Sequence, residues 1–262
     1  MCEAWLARAK SLPLAIRVVN DFGGLDETPD TIHWLGRLLT RSRDMWWHGP
    51  AMQDVLDNIT TPLSMDAVMP FLSHLRVSSH RGTDYTVRLS PSVPHLSTAV
   101  LQCTNHHLCT LDNISLPWSQ LTELTLHFAL LDSIALLQTI SLCPSLRVLT
   151  ASCLCASPEQ LVALSKFAGG AIHQTTLRRL ELRVIRHGLG VLLDALTLPA
   201  LEELDIAFCY RERDPWPHAQ FAQFVERSGG ALKMLVVRQN KGVLKHIAEY
   251  QTLVPGLAIM AR

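Results

Sequence analysis

Cys103-Thr104-Asn105-His106-His107-Leu108-Cys109 gathers four soft or borderline metal ligands within seven residues. Thiolate and imidazole are the donors zinc selects, so a metal would be sought here first. The spacing argues against one. Adjacent His106 and His107 point apart on a strand, and no second ligand pair stands at a familiar zinc-site distance. The segment reads instead as a buried Cys103 at a strand end followed by a polar loop. Cys143, Cys153 and Cys155 read as core-filling thiols, because cysteine is among the most buried residue types, with a redox switch as the alternative.

Catalytic patterns are missing from the chain. There is no nucleophile elbow, no glycine loop to cradle phosphate and no H-E-x-x-H. Twelve histidines in 262 residues make accidental Ser/His/Asp sets unavoidable, so those carry no weight. His187-Gly188-Leu189-Gly190 reads as a turn into a helix carrying Val191, Leu192 and Leu193. The expectation is a protein that is not an enzyme, with no catalytic residues, no metal and no cofactor.

The elements that would position any site follow a recurring L-x-x-L-x-L pattern. It appears as Leu72-Leu75-Val77, Leu96-Ala99-Leu101, Leu121-Leu124-Leu126 and Leu146-Leu149-Ala151. It continues as Leu177-Leu180-Leu182, Leu201-Leu204-Ile206, Leu232-Leu235-Val237 and, worn down, Leu257-Met260. The steps between first positions are 24, 25, 25, 31, 24, 31 and 25 residues. Self-similarity at this period is the signature of leucine-rich repeats. The fold class expected is α/β: a curved leucine-rich-repeat solenoid, a horseshoe with a parallel inner sheet. One elongated unit spans residues 1–262, because each repeat buries its apolar face only against its neighbours. Residues 1–70 make an irregular N-terminal cap, and 71–262 hold the degenerate repeats.

Each repeat core reads as a short strand whose apolar positions alternate inward. Between strands lie helical segments. Asp132 or Ser133 caps a helix with Ile134, Leu137 and Ile140 on its face, stopping before Pro144. Ser157-Pro158-Glu159-Gln160 opens a second helix, with Leu161, Leu164 and Phe167 as its face, and Gly169-Gly170 ends it. Asp214-Pro215 opens a third, with Phe221, Phe224 and Val225 as its face and Gly229-Gly230 at its end. In the cap, Leu14 to Val19 reads as a strand, Thr31 to Thr40 as a helix, Met45-Trp46-Trp47 as a strand and Val55-Leu56-Ile59 as a helix end. Trp46 and Trp47 on one strand cannot face the same core. Either one of them anchors an interface or the cap buries both on opposite sides.

Strand alternation turns the third, fifth and seventh positions of each repeat away from the core, on the concave face. Charge concentrates there at Arg179, Glu181, Arg183, Glu203 and Asp205. With His127 these are the candidate partner-binding residues, since solenoids commonly bind on this face. The competing reading is a solvated sheet with lateral ion pairs, such as Arg179 with Glu203, each worth little.

Composition bounds the partner. Apolar residues make up 48% and charged residues 18%, which excludes a disordered chain. Lys plus Arg equals Asp plus Glu at 23 each, so no net charge draws the chain to nucleic acid or an anionic membrane. Arg8, Lys10 and Arg17 interrupt the N-terminal apolar stretch, so it does not read as a signal peptide, and no run reaches the length of a membrane helix. Seven cysteines without framework spacing fit a reducing compartment, cytoplasmic or nuclear. The sequons at Asn58 and Asn113 are then chance matches. The expected partner is a protein on the concave sheet, with no nucleic acid and no membrane.

Trp5-Leu6-Ala7-Arg8-Ala9-Lys10-Ser11-Leu12-Pro13-Leu14 resembles a stretch that follows the F-box in F-box proteins of mushroom-forming fungi. Pro117-Trp118-Ser119-Gln120-Leu121-Thr122-Glu123-Leu124 and Cys143-Pro144-Ser145-Leu146-Arg147-Val148-Leu149 are similar to that family's degenerate repeats. The resemblance covers nearly the whole chain. It implies substrate recognition for a ubiquitin ligase, with a Skp-type adaptor and cullin associated indirectly. The alternative is a standalone leucine-rich-repeat interaction or structural protein without a ubiquitin-ligase link. Two departures stand out. The F-box that would sit upstream of Trp5 is absent, and the last repeat stops on its strand at Arg262, so a fragment or shortened product is expected. The Asn or Cys of the family's repeats is met only by Cys209 and Asn240. His80, Thr104, Ala129, Leu154 and Ile185 fill the other positions, which argues against a regular hydrogen-bonding ladder inside that turn.

Overall fold

The computed structural model describes residues 12–19, 29–49, 69–79, 87–89, 93–103, 114–155, 171–186, 188–209 and 215–262. The chain divides into two compact units, one of residues 1–103 and 112–117, the other of 104–111 and 118–262. Both are α/β with parallel sheets. Among the described residues no helix is long and apolar enough to cross a membrane.

The first unit contains β1 (Leu14–Val19), α1 (Pro29–Leu39), β2 (Ser42–His48), β3 (His74–Ser79), β4 (Val87–Arg88), β5 (Thr98–Cys103) and β6 (Ile114–Ser115). Strands β1, β2, β3 and β5 pair in parallel in that order. The pair β4–β6 is separate and also parallel. Leu35, Leu38 and Leu39 of α1 are buried. The buried Ser42 hydroxyl donates to the Leu38 carbonyl at 3.0 Å, which ties the end of α1 to the start of β2.

The second unit contains β7 (Glu123–Asp132), α2 (Ser133–Leu142), β8 (Val148–Cys155), β9 (Ile172–His173), β10 (Arg179–Arg186), α3 (Leu189–Ala195) and β11 (Leu196–Thr197). It continues with β12 (Glu203–Phe208), α4 (His218–Arg227), β13 (Met234–Arg238), α5 (Ile247–Leu253) and β14 (Ala258–Ala261). The parallel order is β7-β8-β10-β12-β13-β14, and β9 pairs with β11.

The repeat pattern marks the core. Its first, fourth and sixth positions from Leu72 to Val237 are all buried, most of them completely. Burying a leucine stabilises by roughly 1.5–3 kcal/mol, so these positions dominate the fold. A backbone turn precedes each strand. The amide at the first position donates to the carbonyl three residues earlier in Leu72, Leu96, Leu121, Leu146, Leu201 and Leu257. Its partners, at Met69, Val93, Trp118, Cys143, Leu198 and Val254, are apolar. Just after the turn the strands stitch together: Arg178 and Arg179 N–H both donate to the Arg147 carbonyl, and Glu202 and Glu203 N–H both donate to the Arg178 carbonyl. The recurring ladder thus runs along the beginnings of the strands.

Several expectations need correction. The last repeat is out of phase: Leu235 pairs with Ile259, and Met260 pairs with Val236, so Met260 is not a core position. Leu257 still closes its turn, but β14 begins one residue sooner. Helix α2 starts at Ser133 and ends before Pro144 as expected, yet its buried face is wide, spanning Ala135, Leu136, Leu137, Thr139 and Ile140, while Ile134 is half-buried. Helix α4 begins at His218 rather than at Pro215. Two prolines explain the delay, since Pro217 disfavours helical geometry at Trp216. Phe221, Phe224 and Val225 are buried, and Gly229 and Gly230 leave the helix at φ +74° and +73°, where glycine is favoured. The Ser157 helix, the Val55–Ile59 helix end and the Trp5–Ser11 stretch lie outside the described residues.

Candidate functional site

The first unit carries the most distinctive exposed chemistry. Register places Arg17 beside Trp46 and Trp46 beside Arg76 on three adjacent parallel strands. Side chains at directly paired positions share a face, so the three form one lane. The Arg17 guanidinium lies 3.7 Å from the Trp46 ring centroid and that of Arg76 lies 4.9 Å away. The indole is half-buried and flanked by two cations. Each contact contributes about 0.5–1 kcal/mol at an exposed site.

The lane one step toward the strand beginnings runs Ala15, Asp44, His74 and Thr98. His74 Nδ1 stands 2.7 Å from Asp44 Oδ1 and 2.8 Å from the Ser73 hydroxyl. On the other side run Val19, His48, Ser78 and Gln102. His48 Nδ1 is 2.7 Å from Ser78 Oγ, and Arg76 Nη2 donates to Gln102 Oε1 at 3.5 Å. Ile16, Arg17, Asp44, Trp46, His74, Arg76 and Val100 help to line an open groove of about 430 Å³. Among the described residues lining it, Asp44 supplies negative charge against the two arginines. The groove therefore offers an aromatic floor with fixed cations.

The adjacent tryptophans divide their work. Trp47 points the opposite way and is completely buried. Trp46 is the half-buried member of the pair, and its ring helps to line the groove.

The charged residues singled out in the sequence lie in the second unit. Arg179 pairs with Glu203, Glu181 with Asp205 and Arg183 with Ala207 across β10 and β12. Five of the six candidates thus form one patch. Arg179 Nε is 3.6 Å from Glu203 Oε2, and Arg183 Nη2 is 3.8 Å from Glu181 Oε1. Asp205 accepts from Arg238 Nε at 3.2 Å and from Nη2 at 2.5 Å. This contact holds the Arg238 guanidinium above its ordinary pKa. His127 stands apart on β7, with Nδ1 2.7 Å from Ser152 Oγ. A register shift between Leu182 and Val184 keeps Arg183 from pairing with Ser152. Every charge in the patch has an opposite charge beside it, so the patch is internally compensated.

Cys103 is buried at the end of β5 as expected, and His106, His107 and Cys109 lie outside the described residues. Cys143 is completely buried, and burial pushes its thiol up to about 12. The Cys153 and Cys155 side chains lie outside the described positions.

Sequence reading missed Arg17 and Asp44 as site residues, and left the Trp46-Trp47 pair open between an interface anchor and two buried rings. The signal was present: Leu14–Val19 and Met45–Trp47 read as strands, and the alternation applied to the later repeats extends to them. Compared with known proteins, the chain matches no family model and no curated protein.

Proposed function

We propose that the chain is a protein–protein interaction scaffold built as a leucine-rich-repeat solenoid, recognising an acidic segment of its partner at the Arg17–Trp46–Arg76 lane. The observation that carries this is the half-buried indole flanked by two guanidiniums in an open groove. Tryptophan and arginine are the residue types that concentrate binding energy at interfaces. Guanidinium forks pair with carboxylates in two-point fashion. The compensated patch at Arg179, Glu181, Arg183, Glu203 and Asp205 has less charge left to offer a partner.

The resemblance to fungal F-box proteins supports a narrower reading, in which the captured partner is a substrate of a ubiquitin ligase and the adaptor and cullin join indirectly. The alternative is a standalone scaffold. The test is fluorescence anisotropy of the full chain against acidic, neutral and basic peptides containing aromatic residues. Saturable binding of the acidic set, weakened at least tenfold (about 1.4 kcal/mol) by Arg17→Glu with Arg76→Glu, supports the scaffold reading. Equal binding of all three sets defeats it. Co-capture of adaptor and cullin with the wild-type chain then separates the ligase reading from the standalone one.

A further inference from the structure

The geometry points to a divalent transition-metal site, of the zinc class, formed by His218, His246 and Glu249. These residues come from three places: the first turn of α4, the end of the 3-10 helix Lys241–His246, and α5. One nitrogen of each imidazole and one carboxylate oxygen lie within 4.8 Å of one another. His218 Nε2 is 3.3 Å from Glu249 Oε2, and His246 Nδ1 is 3.8 Å from the same oxygen. Zinc ligands sit about 2.0–2.2 Å from a tetrahedral ion, which places them roughly 3.3 Å apart. The first distance already matches, and the second needs a small closure. Two nitrogens and one carboxylate oxygen, with a coordination position left for water, suit zinc better than the all-oxygen ions calcium and magnesium.

The support behind these ligands is the second observation. His218 Nδ1 is 2.8 Å from the Tyr250 hydroxyl, and Trp216 Nε1–H donates to that same oxygen at 2.8 Å. Tyr250 is almost completely buried, which fixes the position of its hydroxyl. With its proton on Nδ1, His218 donates to Tyr250 and turns the Nε2 lone pair toward Glu249. A ligating histidine fixed through its other ring nitrogen is the usual arrangement around a bound metal. Both histidines are 30% exposed and Glu249 is 51% exposed, which leaves an ion a path in.

The two imidazoles stack at 3.6 Å with an interplanar angle of 10°. An ion cannot lie in the plane of two parallel rings at once. Binding therefore turns one ring, and His246 is the one, because Tyr250 anchors His218. Loss of the stack is a signature of occupancy that adventitious ion binding elsewhere would not produce.

The test is calorimetric titration of the reduced full chain with zinc, followed by cobalt absorption spectroscopy, because cysteine thiols could also bind metal. The expected result is one saturable zinc per chain and a cobalt spectrum without a thiolate charge-transfer band. His246→Asn and Glu249→Gln should each weaken binding about tenfold or more, and in the wild-type chain zinc should shift the His246 ring resonances in NMR. Both side chains are at the surface, so matched melting temperatures of metal-free wild type and variants verify the fold. No saturable binding, a thiolate band, or affinity unchanged in both variants would overturn the assignment.

Discussion

Arg238 of β13 reaches diagonally across the sheet to close a two-point ion pair on Asp205 of β12. The partners are unequally placed: the Asp205 side chain is 12% exposed and that of Arg238 is 48% exposed. Removing either one therefore has a different consequence. Without Asp205 the guanidinium turns to water. Without Arg238 a mostly buried carboxylate loses the two hydrogen bonds that compensate its desolvation. Arg238→Ala should destabilise by about 2–3 kcal/mol and Asp205→Ala by about 1 kcal/mol, measured by urea unfolding. Equal costs would show that the pair is simply a surface contact.

Gln174 is a side chain doing the work of a backbone turn. Its Oε1 accepts from the amides of Thr176 and Leu177 at 2.8 and 2.6 Å. Its Nε2 donates to the carbonyls of Cys143 and Leu146 at 3.3 and 3.1 Å. In most other repeats the amide at Leu177's position finds a carbonyl three residues back. Gln174→Ala should cost about 2–4 kcal/mol, because buried polar groups lose their partners. Gln174→Glu keeps the acceptor but sets a carboxylate against two carbonyl oxygens. It should be worse than alanine near neutral pH and recover on acidification, as its proton restores a donor. Urea midpoints at two pH values distinguish these outcomes.

The sequence carried the core well and the chemistry of the site poorly, for different physical reasons. Leucine at positions one, four and six repeats because burial on a parallel strand demands it, so Leu121, Leu124 and Leu126 announced their own placement. Register then followed from the same ruler, and Arg179 does lie beside Glu203. Gln174 could not be read this way, because a polar side chain substituting for a carbonyl leaves no periodic trace. The one-residue slip at Leu257 was hidden because Met260 looks as apolar as Ile259. In the Arg17–Trp46–Arg76 lane, Arg17 and Trp46 fall in strands before the leucine ruler begins, where alternation alone marks the faces, and only Arg76 lies in its first repeat. His218, His246 and Glu249 are brought together by two chain reversals, and only the i, i+3 spacing of His246 and Glu249 hinted at them.

Cys143 gives the fold an alkaline weakness. Its thiol titrates at about 12 in the folded chain against 9.0 for an ordinary cysteine, because burial penalises the thiolate. Between those values the unfolded chain releases a proton that the folded chain retains, so stability falls as pH rises. The contribution is fully present below pH 9.0 and is lost toward about pH 12. Its size is up to about 4 kcal/mol, at 1.36 kcal/mol per unit. Cys143→Ala should flatten the fall in urea midpoint above pH 9.0, with Tyr250 supplying the remainder through its own rise from 10.0 to about 12. An unchanged slope would mean that the thiol is reached by solvent.

Trp46 and Trp47 should separate binding from folding. Trp47 is completely buried, so Trp47→Ala removes the largest fully buried side chain among the described residues of its unit and leaves a cavity. Its expected cost is about 3–5 kcal/mol, enough to consume much of a domain's stability. Trp46 contributes a half-buried face and two cation–π contacts, and Trp46→Ala should cost only about 1–2 kcal/mol. The loss there should appear in recognition: weaker capture of acidic peptide with a cooperative unfolding transition retained. Arg17 and Arg76 should remain able to attract the same peptide at low salt, since their charges persist without the ring. Trp46→Ala is therefore expected to bind with a steeper salt dependence than wild type, as the remaining attraction is more purely electrostatic and more readily screened. Anisotropy titrations at two ionic strengths measure this, and parallel salt slopes for the two proteins would mean that the indole takes no direct part in the contact.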